Sequence, residues 1–103
     1  MVNVDRNFSK MTLKDHGAAY EQLVAIEESS ELIKAITKLQ RYPATEQYRD
    51  CIIEEMADCY ICLKTLQVIY DVMDVDMQDA INKKIARYNS RRNAVCIDDF
   101  IEE

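Results

Sequence analysis

The most apolar stretch of the chain runs from Glu46 to about Val72. There Ile52, Ile53, Met56, Tyr60, Ile61, Leu63, Leu66, Val68 and Ile69 cover most of the circumference of a predicted helix. A helix apolar nearly all round is buried on several sides. Tyr42-Pro43-Ala44-Thr45 before it reads as a break, because proline disfavours helix in the residue that precedes it. Thr45 is placed to cap this helix, with Glu46 favourable in its first turn. Upstream, a long helix is expected from about Asp15 to Arg41, with Asp15 as its N-cap and Gly17 early, where glycine costs least. Downstream, Asp74-Val75-Asp76 makes a second connection, and Asp76 would cap a third helix from Met77 to about Arg91.

Residues 1–14 read as a mixed, polar N-terminal arm with Phe8, Met11 and Leu13 as docking points. Residues 93–103 read as a tail in which a short helical turn docks Val95, Ile97 and Phe100. The helical core is then 15–92, within a single domain spanning 1–103. Three helices of this size cannot enclose the middle one alone. The expected fold is therefore all-α, an antiparallel helical hairpin plus a third helix in a bundle completed by homo-oligomerisation.

Composition narrows this picture. One Gly and one Pro among 103 residues, with 49% hydrophobic and 31% charged positions, leave little material for the turns of a β-protein. A net charge of −6 argues against nucleic acid or a membrane surface as partner. It leaves room for an anionic small molecule, because bound cations invert the local charge. No apolar run approaches the ~20 residues of a membrane-spanning helix, and Met1–Lys14 lacks a signal-peptide core. A cytoplasmic protein with Cys51, Cys59, Cys62 and Cys96 reduced is the expectation. Cys59-x-x-Cys62 falls mid-helix with no second pair or histidine cluster to complete a zinc site, and reads as packing.

Two acid pairs, Glu28-x-x-Glu31 and Glu55-x-x-Asp58, lie symmetrically about Pro43: 12 residues separate it from Glu31 and Glu55, and 15 from Glu28 and Asp58. If the chain turns near Pro43, Glu31 reaches the level of Glu55, and Glu28 that of Asp58. Spacing alone is weak evidence, since 19 acids in 103 residues give about three such pairs by chance against five observed. Asp71/Asp74, Asp76/Asp79 and Asp99/Glu102 sit at helix ends or in the tail, where capping and dipole effects account for them.

The two mirror pairs differ in their neighbours. Val24 and Ala35 bracket Glu28 and Glu31 along one helical stripe, and Cys51 and Cys62 bracket Glu55 and Asp58. A solvated acidic seam is the bland reading; small apolar brackets favour an inward-facing cluster. Like charges about 6 Å apart at an effective dielectric near 20 repel by roughly 3 kcal/mol. Such a cluster must protonate, splay into water or bind cations. All-oxygen ligands without histidine suit Mg2+ or Mn2+, whereas a di-iron bundle wants Glu-x-x-His. The lone histidine, His16, is remote from both motifs and reads as a surface or capping residue.

The third helix carries the opposite charge at the same spacing, in Lys84, Arg87 and Arg91. Dipole compensation explains these cations as readily as a phosphate clamp does. Lys34 and Lys38 are secondary candidates that read as surface residues.

Gln22-Leu-Val-Ala-Ile-Glu27-Glu28-Ser-Ser-Glu31-Leu32, Glu54-Glu55-Met-Ala-Asp58-Cys-Tyr-Ile and Ile81-Asn-Lys-Lys84-Ile-Ala-Arg87-Tyr together resemble MazG-type proteins, over roughly Asp15 to Arg92. These are all-α nucleoside triphosphate pyrophosphohydrolases. The resemblance implies a helical homodimer or homotetramer that cleaves between the α- and β-phosphates, releasing monophosphate and pyrophosphate. By position, Glu28, Glu31, Glu55 and Asp58 would be the catalytic carboxylates and the ligands of Mg2+ or Mn2+, and Lys84, with Arg87 and Arg91, would contact phosphate. Ser30 stands where the family often has Gly, and Tyr88 where some relatives have Asn, which leaves base and sugar recognition unassigned.

The implied reaction is attack of a metal-activated water on the α-phosphorus, with Glu28 or Glu31 taking the proton. Two rivals are a helical nucleotide-sensing or interaction module without turnover and a purely structural oligomer. Tyr20, Tyr42, Tyr48, Tyr60, Tyr70 and Tyr88 could each stack on a base, but tyrosines at helical spacing read first as core or interface.

Overall fold

Ser9, Lys64 and Thr65 are the buried polar residues among those described, and Ser9 meets Thr65 where the first helix packs on the third. A computed structural model describes the backbone of residues 1–42 and 46–102 and the side chains of 1–42 and 46–94. It contains α1 (Arg6–His16), α2 (Ala18–Arg41), α3 (Glu46–Ile69) and α4 (Asp74–Glu102), with no strand among the described residues. The all-α expectation holds, with four helices rather than three. The chain divides into two units, Met1–Asp71 and Val72–Glu103.

The expected N-terminal arm is a helix. Asp5 caps α1, its carboxylate accepting the Asn7 N–H at 2.9 Å. Phe8 and Met11 stay wet, at 44% and 52% exposure, Leu13 is half-buried, and Ser9 is wholly buried. The Thr65 hydroxyl donates to Ser9 Oγ at 3.4 Å and to Ile61 O at 3.1 Å. Small hydroxyl residues at the crossing let the two backbones approach, which a search for large apolar residues misses.

The long first helix expected from Asp15 is interrupted, and Asp15 lies inside α1 rather than capping α2. The interruption is Gly17, at φ 87° and ψ 159°, a conformation essentially confined to glycine. Its N–H closes α1 onto Leu13 O at 2.8 Å, and its carbonyl accepts from Glu21 N–H at 3.2 Å. His16 Nδ1 meets Glu21 Oε1 at 2.9 Å and its ring lies 4.9 Å from that of Tyr20, so His16 braces the corner.

α2 and α3 run antiparallel, since Gln22 bonds Tyr70, Glu28 bonds Cys59 and Tyr42 stacks on Tyr48. Tyr42 closes α2 at φ −121° and ψ 150°, the extended geometry that a following proline imposes. The Thr45 cap lies outside the described residues. Asp71 ends α3 at φ 54°, a left-handed position that aspartate tolerates, with its N–H on Val68 O at 3.3 Å.

Asp76 has a different role from the expected N-cap. α4 begins at Asp74, and the Asp76 carboxylate reaches back to accept the Met73 N–H at 2.9 Å, the acid of a capping box. The helix continues to Glu102 instead of ending near Arg91, so residues 93–102 of the expected tail belong to the same helix. The docking expected of Val95, Ile97 and Phe100 lies outside the described side chains.

Ala25 is the one buried apolar residue among those described. On α3, Ile53, Met56, Tyr60 and Leu63 recur at three- and four-residue steps and are 42–50% exposed. The helix expected to be buried on several sides is thus wet along a seam with coiled-coil spacing. On α2, Leu23, Ile26 and Ile33 are similarly exposed.

The Gly17 corner generates the first prediction. A Cβ there would meet nothing within 4 Å, so Gly17→Ala introduces no clash and acts through the backbone alone. It should lower stability by about 1–3 kcal/mol, read as a fall in thermal midpoint, while helical circular dichroism at low temperature stays unchanged.

Candidate metal centre

Three carboxylates converge between α2 and α3. One oxygen each from Glu28, Glu55 and Asp58 lies within 4.8 Å of the others. Glu28 stands on α2; Glu55 and Asp58, three residues apart, lie on one face of α3. Glu28 and Glu55 are half-buried. One oxygen of Glu55, Oε2, is fully buried and has no hydrogen-bond partner among the described residues.

Glu31 lies outside this trio. Its Oε1 is 3.7 Å from Lys34 Nζ on the next turn, and both side chains are largely exposed. Lys84, Arg87 and Arg91 are exposed on α4, in the second unit. Ser30, where a glycine was the family expectation, folds its hydroxyl onto Glu27 O at 2.7 Å. That leaves it clear of the carboxylates.

The crowding shows in the acidity of the neighbours. Desolvation, then the charge of Asp58 and a hydrogen bond with it, then Glu55 and Glu27, raise the Glu28 pKa above its ordinary value of 4.5. Cys59 donates its thiol to Glu28 O at 3.7 Å, linking the two helices behind the cluster. Burial first, and then Glu28, Asp58 and Glu55, raise the Cys59 pKa. Burial, aided by Glu28 and Cys59, pushes Cys62 up to about 11. Cys51, Cys59 and Cys62 are all free, and Cys51 is the exposed one.

This set fits a hard divalent cation. Octahedral oxygens at about 2.1 Å from Mg2+ stand some 3–4 Å apart, close to the spread seen here. An orphaned buried oxygen and a carboxyl whose ionisation is opposed both gain from a positive charge. Neutral thiols behind the cluster do not compete as ligands, since metal binding needs the thiolate.

A model of the MazG nucleotide pyrophosphohydrolase domain matches residues 19–96. The chain belongs to this family. The matched span takes in Glu28, Glu31, Glu55, Asp58, Lys84, Arg87 and Arg91. No curated protein and no solved structure matches the chain. No helix among the described residues of this MazG-family chain is long and apolar enough to cross a membrane.

The raised Glu28 pKa has a defined sign. Between 4.5 and the raised value, the folded protein holds a proton that the unfolded chain has released. This group's contribution to stability is therefore present below 4.5 and lost as pH rises through its folded pKa. The metal-free protein should lose thermal stability across that window, Glu28→Gln should flatten that part of the profile, and Mg2+ should restore the wild type above it. Alkylation followed by peptide mass mapping should modify Cys51 well before Cys59 or Cys62, in line with their exposure and the suppressed ionisation of the latter two.

Proposed function

We propose that this protein is a metal-dependent nucleoside triphosphate pyrophosphohydrolase, releasing monophosphate and pyrophosphate. The observation that carries this reading is the Glu28–Glu55–Asp58 cluster, with its orphaned Glu55 oxygen, in a chain of the MazG family. Glu28, Glu55 and Asp58 would hold Mg2+ or Mn2+. A cation there would neutralise phosphate charge and acidify a water for attack at the α-phosphorus. Glu31 stands one turn from Glu28 and outside the trio, and is the carboxylate left to accept the proton of that water. Lys84, Arg87 and Arg91 share one face of α4 and would contact phosphate.

A homodimer or homotetramer in the cytoplasm completes this reading, with α3 as the interface. A stripe of Ile53, Met56, Tyr60 and Leu63 exposed to water favours self-association over a lone chain. The non-enzymatic alternative, a nucleotide-sensing module, predicts Mg2+-dependent binding without turnover.

Alanine at Glu28, Glu55 or Asp58 should each reduce Mg2+-dependent pyrophosphate release by more than the ~10–100-fold typical of changes behind a metal site. The assay is pyrophosphate production across a nucleotide panel; full activity in all three variants would falsify the proposal. For the interface, Met56→Glu with Leu63→Glu should shift the species seen by light scattering toward monomer while helical content persists.

A further inference from the structure

A cleft of about 280 Å3 continues from the carboxylates along the groove between α2 and α3. Glu31, Lys34 and Lys38 wall it from α2; Tyr48, Cys51 and Glu55 wall it from α3. Glu55 belongs to both the cleft and the metal cluster, so the two spaces adjoin. Lys34 and Lys38, one helical turn apart, line the same wall of the cleft. At the level of the sequence they read as surface residues; the cleft gives them a common target.

We propose that this cleft seats the terminal phosphates of the polyphosphate substrate, the part that leaves as pyrophosphate, with Lys34 and Lys38 as its contacting cations. The inference rests on the reading of the protein as a pyrophosphohydrolase and adds the direction in which the substrate lies. Charge chooses phosphate over base. Glu31 and Glu55 line the same cleft, so the two lysines complement an anionic tail that displaces the Glu31 pairing beside a cation held at Glu55, whereas a nucleobase gains little from them. Aromatic geometry points the same way. Tyr48 already stacks on Tyr42, with ring centroids 6.0 Å apart and planes 11° from parallel, and Arg41 lies 5.9 Å from the Tyr42 ring. A base entering the cleft would compete with that stack.

Size and polarity agree. The 280 Å3 equals the share of about nine water molecules at ~30 Å3 each, room for two phosphate groups with part of their hydration. A larger groove of about 530 Å3 is mainly apolar: Ala25, Ile26, Ile33 and Leu66 line it with Gln22, Ser29 and Ser30, and it carries no cation to meet a phosphate. The 3.7 Å pairing of Lys34 with Glu31 holds one ammonium beside a carboxylate that lines the same cleft. Exposed on both sides, that pair is weak enough for a phosphate oxygen to displace. The nucleoside would then lie away from the Tyr42–Tyr48 stack, beyond the carboxylates.

The test is calorimetric titration of the full-length chain with pyrophosphate in excess Mg2+, which requires no turnover. Lys34→Ala with Lys38→Ala should weaken binding roughly a hundredfold, about tenfold per lysine, while Mg2+ affinity and melting temperature stay at wild-type values. Lys34→Arg with Lys38→Arg should retain most of the affinity. Lys10→Ala with Lys14→Ala, an equal change in net charge on α1, should change it by less than about threefold. The subsite is overturned if the Lys34/Lys38 alanine pair binds pyrophosphate like wild type, or if the α1 pair weakens it equally. It is also overturned if the cleft lysines alter only the discrimination among bases. A wild-type protein that binds pyrophosphate through these lysines yet releases none from any triphosphate sinks the activity and keeps the subsite. Turnover with lysine-independent pyrophosphate binding does the reverse.

Discussion

The repulsion among Glu28, Glu55 and Asp58 is the constraint around which the helical hairpin is organised. Three acids within 4.8 Å oppose the packing of α2 on α3, and the hairpin must hold them together against that force. It does so with contacts at both ends and behind the cluster. Tyr70 donates to Gln22 Oε1 at 2.5 Å near one end, and Tyr42 stacks on Tyr48 near the other. Between them the Cys59 thiol bonds the backbone carbonyl of Glu28 itself. Local hydroxyls take the same side, with Ser29 and Ser30 satisfied on their own helix rather than competing for the carboxylates. Stability given up in this way is characteristic of a site prepared for a ligand of opposite charge.

A small core makes that preparation costly. With Ala25 as the one buried apolar side chain described, the hairpin has little hydrophobic burial to set against the electrostatic strain. Cation binding at the cluster and association along the exposed α3 stripe would each relieve the deficit. Function and folding would then be coupled in this chain, because the ligand proposed to permit chemistry would also relieve the repulsion within the cluster.

How far this was legible in the sequence depended on the interaction concerned. The hairpin could be inferred because proline restricts its predecessor whatever the tertiary context, and Tyr42 has the expected extended geometry. The mirror spacing brought Glu28 level with Asp58 because antiparallel helices of equal rise keep register over four turns. Glu31 shows the limit of that arithmetic. Periodicity places its Cα on the same face, but a long side chain with a lysine one turn away can rotate toward a partner, and it does. The α1 helix was illegible because its packing residue is Ser9, which carries no hydrophobic signal. Gly17 reads as helical because a glycine inside a helix and one at a corner look alike until φ is known, and Asp76 reads as an N-cap because N-cap and N3 acids differ by three residues in an otherwise similar pattern.

The groove between α2 and α3 is graded along its length, and this gradation bears on how a polyanion would be handled. The Glu28–Glu55–Asp58 end is anionic and suits only a cation or a cation-bound ligand. The end toward residue 42 adds Lys34 and Lys38 to Glu31 and Glu55, and is the end able to accept an anion. Glu31, shared by position between the two, is paired with a lysine in the structure and stands within one turn of Glu28, a proposed cation ligand. A substrate whose charge is concentrated at one end meets complementary charge only in one orientation, so the polarity of the groove would select the orientation before any base is read. Specificity for the base need not arise in this groove at all. That is consistent with a cluster and cleft built from acids, lysines and small residues, and with tyrosines whose rings are turned to their own neighbours.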